Sequence, residues 1–247
     1  MKKSIKINTD GVHYKILNEK IHQVIKKGYK RIILEEVCGQ RYIGDGLQSK
    51  DVEIIINGIP GNDLAAFMDG PKIVVNANAQ DGVGNTMNSG EVVIYGDAGD
   101  IVGHSMRGGR IFIKGDVGYR VGIHMKAYKD SFPVVIVGGT AKDFLGEYMA
   151  GGLLVILGMD RKDKIVGDFV GTGMHGGSIF IRGEIDTHCL GKEVKIISPS
   201  EDDLILLKNH LISFCKYFTL DIKEILKKPF IKLYPYTHRP YGKLYAY

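Results

Sequence analysis

Val102-Gly103-His104-Ser105-Met106-Arg107-Gly108-Gly109-Arg110-Ile111-Phe112-Ile113-Lys114-Gly115 is one statement of a phrase that the chain repeats. Its front half reads aliphatic, small, any, any, Met, any, small, Gly. That wording returns around Met68, Met87, Met106 and Met125, each 19 residues after the last, and around Met149 and Met174 at steps of 24 and 25. The aliphatic-small pairs ahead of each Met are Leu64-Ala65, Val83-Gly84, Val102-Gly103, Val121-Gly122, Leu145-Gly146 and Val170-Gly171. The back half supplies a three-residue apolar run. These runs are Ile54-Ile55-Ile56, Ile73-Val74-Val75, Val92-Val93-Ile94, Ile111-Phe112-Ile113, Val134-Val135-Ile136, Leu154-Val155-Ile156 and Ile179-Phe180-Ile181. Most are followed two residues on by Gly, with Ala77 the exception. A period near 20 residues with one short β-branched run per unit is the mark of a solenoid. The intervals are too short for a crossover helix at every step, so the strands stack on one another.

The expected fold is therefore all-β, a parallel β-helix with one strand per coil and about seven coils. Equivalent residues of successive coils would lie ~4.8 Å apart and form ladders. The Val/Leu and Met positions would face inward, and the Gly positions would permit positive φ or close approach of corners. The longer steps are read as corner loops over residues 128–133 and 160–167, which are also the expected partner contacts, since loops vary while the column is fixed. Residues 1–53 read as a small α/β cap, with Leu17, Ile21, Val24 and Ile25 at helical spacing and a strand over Arg31 to Val37. Residues 54–197 form the β-helix, and residues 198–247 carry helices and an extended Tyr-rich tail. Open strand edges need covering. The N-terminal helix and strand are assigned to one end. A helix bearing Leu204, Leu207, Leu211, Phe214, Cys215 and Phe218, started by Ser198-Pro199-Ser200-Glu201, is assigned to the other. A shorter helix over 221–228 and Pro229 follow.

The net charge of +5 is uneven: +4 over residues 1–53, −5 over 54–207 and +6 over 208–247. An acidic body flanked by basic ends explains the split, and with no nucleic-acid-binding motif beside it nucleic acid is not an expected partner. No run reaches the ~18 apolar residues of a membrane helix, and the start lacks a signal-peptide stretch, so a cytoplasmic protein without membrane contact is expected. Cys38, Cys189 and Cys215 are odd in number and far apart. They encode neither a disulfide framework nor a C-x-x-C site and read as buried free thiols.

Several short motifs invite chemistry. Gly171-Thr172-Gly173-Met174-His175-Gly176 matches G-x-G-x-x-G, but a dinucleotide site needs that loop to open a helix, and here a strand follows. Gly103-His104-Ser105-Met106 resembles the front of a nucleophile elbow, yet Arg107 stands where the second Gly is required. The Met ladder could attract a soft metal, though Met at a fixed repeat position is ordinarily core filling. His104, His124 and His175 sit at different offsets from their Met residues, and Asp97, Asp100 and Asp116 are scattered over turns. No catalytic, cofactor-binding or metal-ligating residue is assigned. The tail from Tyr234 to Tyr247 holds five tyrosines and two prolines, which suits a strap on its own column or a docking segment.

The phrase from Val102 to Gly115, with its siblings at Val83 to Gly96 and Leu145 to Gly158, resembles the GXGXG repeat domain. That domain is the C-terminal part of the glutamate synthase large subunit, and a related version is one of the subunits of formylmethanofuran dehydrogenase. His238-Arg239-Pro240-Tyr241-Gly242-Lys243-Leu244-Tyr245 is similar to the stand-alone, archaeal-type form in which glutamate synthase is split into separate chains. The resemblance implies a right-handed parallel β-helix. It also implies a non-catalytic scaffold bracing a glutaminase subunit and a synthase subunit that carries FMN and an iron–sulfur cluster, with no cofactor in this chain. The chain agrees in having no Cys after Met1 to act as a glutaminase nucleophile and no cluster of Cys for iron–sulfur ligation. A formylmethanofuran dehydrogenase subunit is the alternative, and a hydrolase using Ser105 a third reading. Self-association remains open. Ala77 in place of a repeat Gly, and Lys126-Ala127-Tyr128 in place of the usual Met-x-Gly-Gly continuation, are the departures.

Overall fold

Ile111, Phe112 and Ile113 alternate in direction along a pleated backbone, so the outer two point one way and the middle one the other. In the computed structural model, which describes residues 3–159, 161 and 163–236, all three are fully buried. Both faces of this strand are therefore covered. The strand is β6 (Arg110–Ile113) of a set comprising β1 (Ser4–Asn8), β2 (Arg31–Cys38), β3 (Glu53–Ile59), β4 (Asp69–Val75), β5 (Ser89–Ile94), β7 (Val134–Val137), β8 (Ala150–Ile156), β9 (Gly176–Arg182), β10 (Val194–Ile197) and β11 (Phe230–Pro235). They form one sheet in the order β1 to β9, then β11, then β10. Pairing is parallel from β1 to β9, and the register keeps repeat positions together: Ile54, Ile73, Val92, Ile111, Val135, Leu154 and Ile179 make one inward ladder.

The fold is the expected parallel β-helix, with a single strand wall. The rest of each coil is turn, tied to the coil before it by backbone bonds such as Gly103 N–H to the Val83 carbonyl and Gly122 N–H to the Val102 carbonyl, both 2.8 Å. All six repeat Met residues are fully buried. Their spacing from the Gly pair has a packing cause: a Cβ on Gly109 would stand 2.6 Å from the Met87 methyl, so the Met of one coil tucks beneath the Gly of the next. The column also begins one coil earlier than the Met register shows. Ile43-Gly44-Asp45-Gly46-Leu47 follows the phrase with Leu in place of Met, and Ile43 and Leu47 are buried. Helix α1 (Tyr14–Lys26) buries Leu17, Ile21 and Val24 against the same interior and covers the first end.

The C-terminal helix departs from expectation. Helix α2 (Glu201–Phe218) does not close the far end but lies along the outside of the strand wall. There Leu207, Leu211, Phe214, Cys215 and Phe218 bury with Val93, Phe112, Ile136, Val155 and Phe180. These wall residues are mainly the middle members of the apolar runs, and an outer face this apolar has to be removed from water. Phe112 meets Phe214 edge-on at 6.0 Å, and Tyr95 meets Phe218 at 5.2 Å. The helix starts on a capping box, with Ser200 Oγ accepting the Asp203 amide and the Asp203 carboxylate accepting the Ser200 amide. After helix α3 (Ile222–Leu226), it is β11 that covers the far end, antiparallel to β9, with β10 outside it. The chain from Phe230 to Pro235 is thus a strand with Leu233 fully buried, not free tail. Residues 237–247, including the tail motif, lie outside the described residues. Cys189 and Cys215 are buried as expected, whereas Cys38 is exposed, because it ends β2 on the outward side of its alternation. No helix among the described residues is long and apolar enough to cross a membrane.

Candidate functional site

Two features of the turns decide what the outside of the column can do. The first is a pair of carboxylate ladders. Asp97 Oδ1 accepts the Asp116 amide at 2.8 Å and Asp116 Oδ1 accepts the Thr140 amide at 2.7 Å. On the neighbouring corner Asp100 Oδ1 accepts the Tyr119 amide at 2.8 Å and Asp143 Oδ1 the Asp168 amide at 2.9 Å. Each acid thus satisfies a backbone donor of the next coil. Burial pushes the Asp116 carboxyl up, but the Thr140 amide and hydroxyl together with Arg161 outweigh it and hold the group below the ordinary carboxylate range. Asp97, Asp100 and Asp116 are therefore structural acceptors.

The second feature is backbone conformation in the turn that begins directly after the second ladder. Asp63, Ile101, Arg120, Phe144 and Phe169, one residue before the repeat aliphatic, have φ between 53° and 63°; Phe67, Thr86, Ser105, His124 and Tyr148, one before the Met, have φ between 52° and 55°. Gly82 and Gly173 fill these two positions in other coils. The left-handed region suits Gly, and bulky or β-branched residues in it are strained. Four of these side chains are exposed, Phe67 and Phe169 at 53% each, Tyr148 at 46% and His124, whereas Thr86 is buried and the others are half-buried. They form rows. Arg120 lies 4.5 Å above Phe144 and is ion-paired with the buried Glu147, Phe144 stacks on Phe169 at 4.9 Å, and His124 stacks on Tyr148 at 5.3 Å. His104 lies 6.2 Å from His124, and burial, then the His124 charge, lower its pKa. At the first coils, burial and the nearby Asp63 raise the pKa of Asp45.

The residues singled out in the sequence fall on or beside this corner. Ser105 Oγ makes no hydrogen bond to His104 or His124, so no base activates it. The Gly171-to-Gly176 loop runs into β9, and the Gly173 amide that would face a pyrophosphate instead donates to Glu193 Oε2 at 3.0 Å. Two of the three histidines come together, while His175 sits apart with Nδ1 3.1 Å from the Gly173 carbonyl. Among the described residues no group of three His, Cys, Asp or Glu side chains could hold a metal ion. The aromatic rows and the Arg120–Glu147 pair were not anticipated. Their signal in the sequence is two variable positions in phase, one before each Met with Phe67, Thr86, Ser105, His124 and Tyr148, and one before each repeat aliphatic with Arg120, Phe144 and Phe169.

A single-wall parallel β-helix whose distinctive side chains stand on an outer corner defines the class of this molecule. The GXGXG motif family matches residues 19–236, and the chain belongs to that family. An uncharacterized protein of Methanocaldococcus jannaschii is 53% identical over 249 residues, spanning 97% of this chain and 95% of that one. The crystal structure of the formyltransferase/hydrolase complex from Methylorubrum extorquens with methylofuran contains a chain similar in fold, with a TM-score of 0.61 and 21% identity, over 78% of this chain and 68% of that one.

Proposed function

We propose that this protein is a structural subunit of a glutamate synthase-type complex, which holds a glutaminase chain and an FMN- and iron–sulfur-containing synthase chain in register for amide transfer from glutamine to 2-oxoglutarate. The observation that carries a partner-binding role is the corner of strained, exposed aromatic residues. Holding Phe67, Tyr148 and Phe169 in the left-handed region costs roughly 1 kcal/mol each, and for Phe67 the ring recovers little of it by packing, being half in solvent. Aromatic side chains on a rigid, pre-organised surface are what a protein interface uses as anchors. The resemblance of the phrase from Val102 to Gly115 supports the choice of complex, and the family assignment is common to both this reading and the second one below. Both cofactors would belong to the partner chain, and this chain's part is positional.

A second reading, a subunit of a formylmethanofuran dehydrogenase-like complex, draws support from the fold shared with a chain of the formyltransferase/hydrolase complex. Gentle low-salt purification of the native protein from its own cells separates the two. Recovery of a glutaminase and a flavin- and iron–sulfur-containing chain is the expected result; recovery of a molybdenum or tungsten chain favours the second reading, and recovery of the protein alone overturns both.

A further inference from the structure

Several cations on this column are laddered with carboxylates. Arg31 and Lys72 flank Glu53, Arg110 pairs with Glu91 at 3.0 Å, Lys6 with Glu35 at 2.8 Å, and Arg120 with Glu147. Other cations carry no such partner among the described residues, and two of these stand together. Arg107 and Lys126 occupy the same position, directly after the Met, on adjacent coils, with their amides bonded to the Met87 and Met106 carbonyls. The rungs beside them carry Asn88 and Ala150, neither charged. No carboxylate lies within ion-pair distance of Arg107 or Lys126 among the described residues, and like charges on neighbouring rungs destabilise a sheet or ladder.

The repeat also fails here. Where the coils of Met106, Met149 and Met174 continue with a Gly pair, this one has Ala127-Tyr128 and then a loop closed by reciprocal Tyr128 and Ser131 backbone bonds. That loop walls a depression of about 540 Å³, lined by Asn88, Ser105, Arg107, His124, Lys126 and Tyr128. The volume is that of a small-molecule site. The Ser105 hydroxyl and the His124 ring nitrogens have no hydrogen-bond partner among the described residues, and Arg107 has only a long 3.5 Å contact to Asn88. Donors and cations without acceptors therefore converge on one hollow.

We infer that this hollow binds a small organic anion carrying carboxylate or phosphate groups. The Arg107 guanidinium supplies a planar fork for two oxygens, Lys126 a second positive charge, and Ser105 and Asn88 hydrogen bonds at the rim. The inference does not depend on which complex the protein serves, because it rests on this hollow alone. It is tested by calorimetry on the full chain with inorganic phosphate and with succinate, at ionic strength matched with sodium chloride. At least one of the two is expected to bind, and R107Q and K126Q are each expected to weaken it at least tenfold, with Lys114→Gln, a cation remote from the hollow, as control. Without ligand, K126Q should melt no lower than the parent chain, since it removes a like-charge contact. Phosphate binding more tightly than succinate would identify phosphoryl groups as the ligand chemistry, and the reverse order dicarboxylates. Absence of heat from both probes, a loss below tenfold in both variants, or an equal loss in the Lys114 control would overturn the inference.

Discussion

Glycine after the strand is the residue on which the rung-to-rung geometry turns. At Gly118 the backbone is ordinary, but a Cβ would stand 1.9 Å from Asp100 Oδ1, and at Gly115 2.0 Å from Asp97 Oδ1. The carboxylate of one coil occupies the volume a side chain would need in the next, because it reaches up to accept an amide there. Gly118→Ala should therefore destabilise by about 2 kcal/mol, from the displaced carboxylate and its lost hydrogen bond. Asp100→Ala alone should cost about 1 kcal/mol. Urea unfolding of the double variant provides the check: with the carboxylate gone the added methyl loses its closest contact and keeps only the Asp100 amide nitrogen at 3.0 Å, so the two costs should fall short of adding, by about 1 kcal/mol. Strict additivity would show that the clash is relieved some other way. Gly118 lies outside the spacing that ties a Gly to each apolar run, whereas Gly115 was plain in the sequence, as was its distance from its run. Its reason was not, since the atom it avoids belongs to a residue 18 positions earlier.

At the level of elements, α2 shows how a period-two reading carries further than a run count. Val93, Phe112, Val155 and Phe180 stand in the middle of their runs and face outward, where the helix lies over them. Val74, at the same position one coil earlier, packs only at the edge of this cluster, and it and Ile55 before it are half-buried. The amphipathic face of α2 was legible, but its destination required seeing that both faces of β5 to β9 are apolar. The strand β11 was hidden for a different reason: Pro229 and the tyrosines around it mimic extended tail, and only pairing with β9 defines the register. The packing of α2 on the wall carries a pH dependence. Burial, then the Arg110 charge, lowers the pKa of His210 on α2. The unfolded imidazole titrates near ~6.5, so the folded chain resists a proton that the unfolded chain accepts, and stability is lost as pH falls through that value until the folded group also protonates. His104, lowered in the same direction, adds to the loss. Between pH 7 and pH 5 the urea midpoint should fall in the parent chain, and fall less in His210→Gln, whose side chain stays neutral. Parallel midpoints in the two chains would remove His210 from the account.

For the molecule as a whole, a rigid column makes the exposed corner a fixed array. Interior ladders of Val, Ile and Met set the rise per coil, so Phe67, Tyr148 and Phe169 keep their separations without contacts between them all. A partner meeting such an array loses little entropy in ordering it, and pre-organisation of this kind favours tight association. It also creates an opposition between folding and assembly that a single substitution exposes. Phe67 is held at φ 54°, is 53% exposed and has no aromatic neighbour among the described residues. Asn adopts the left-handed region more readily than Phe, so Phe67→Asn should stabilise the isolated chain by roughly 0.5–1 kcal/mol, or about 1–4 °C in a domain of this size. If the corner is where partner chains seat, the same change removes an anchor, and recovery of those chains by the tagged protein should drop at least tenfold, as expected for an interface aromatic worth about 1.4 kcal/mol or more. The substitution would thus make the subunit more stable and less competent. A variant that is stabilised yet recovers its partners undiminished would place the interface elsewhere on the column. The loop over residues 128–133 is then the next surface to trim, since it leaves the strand wall and its ladder intact.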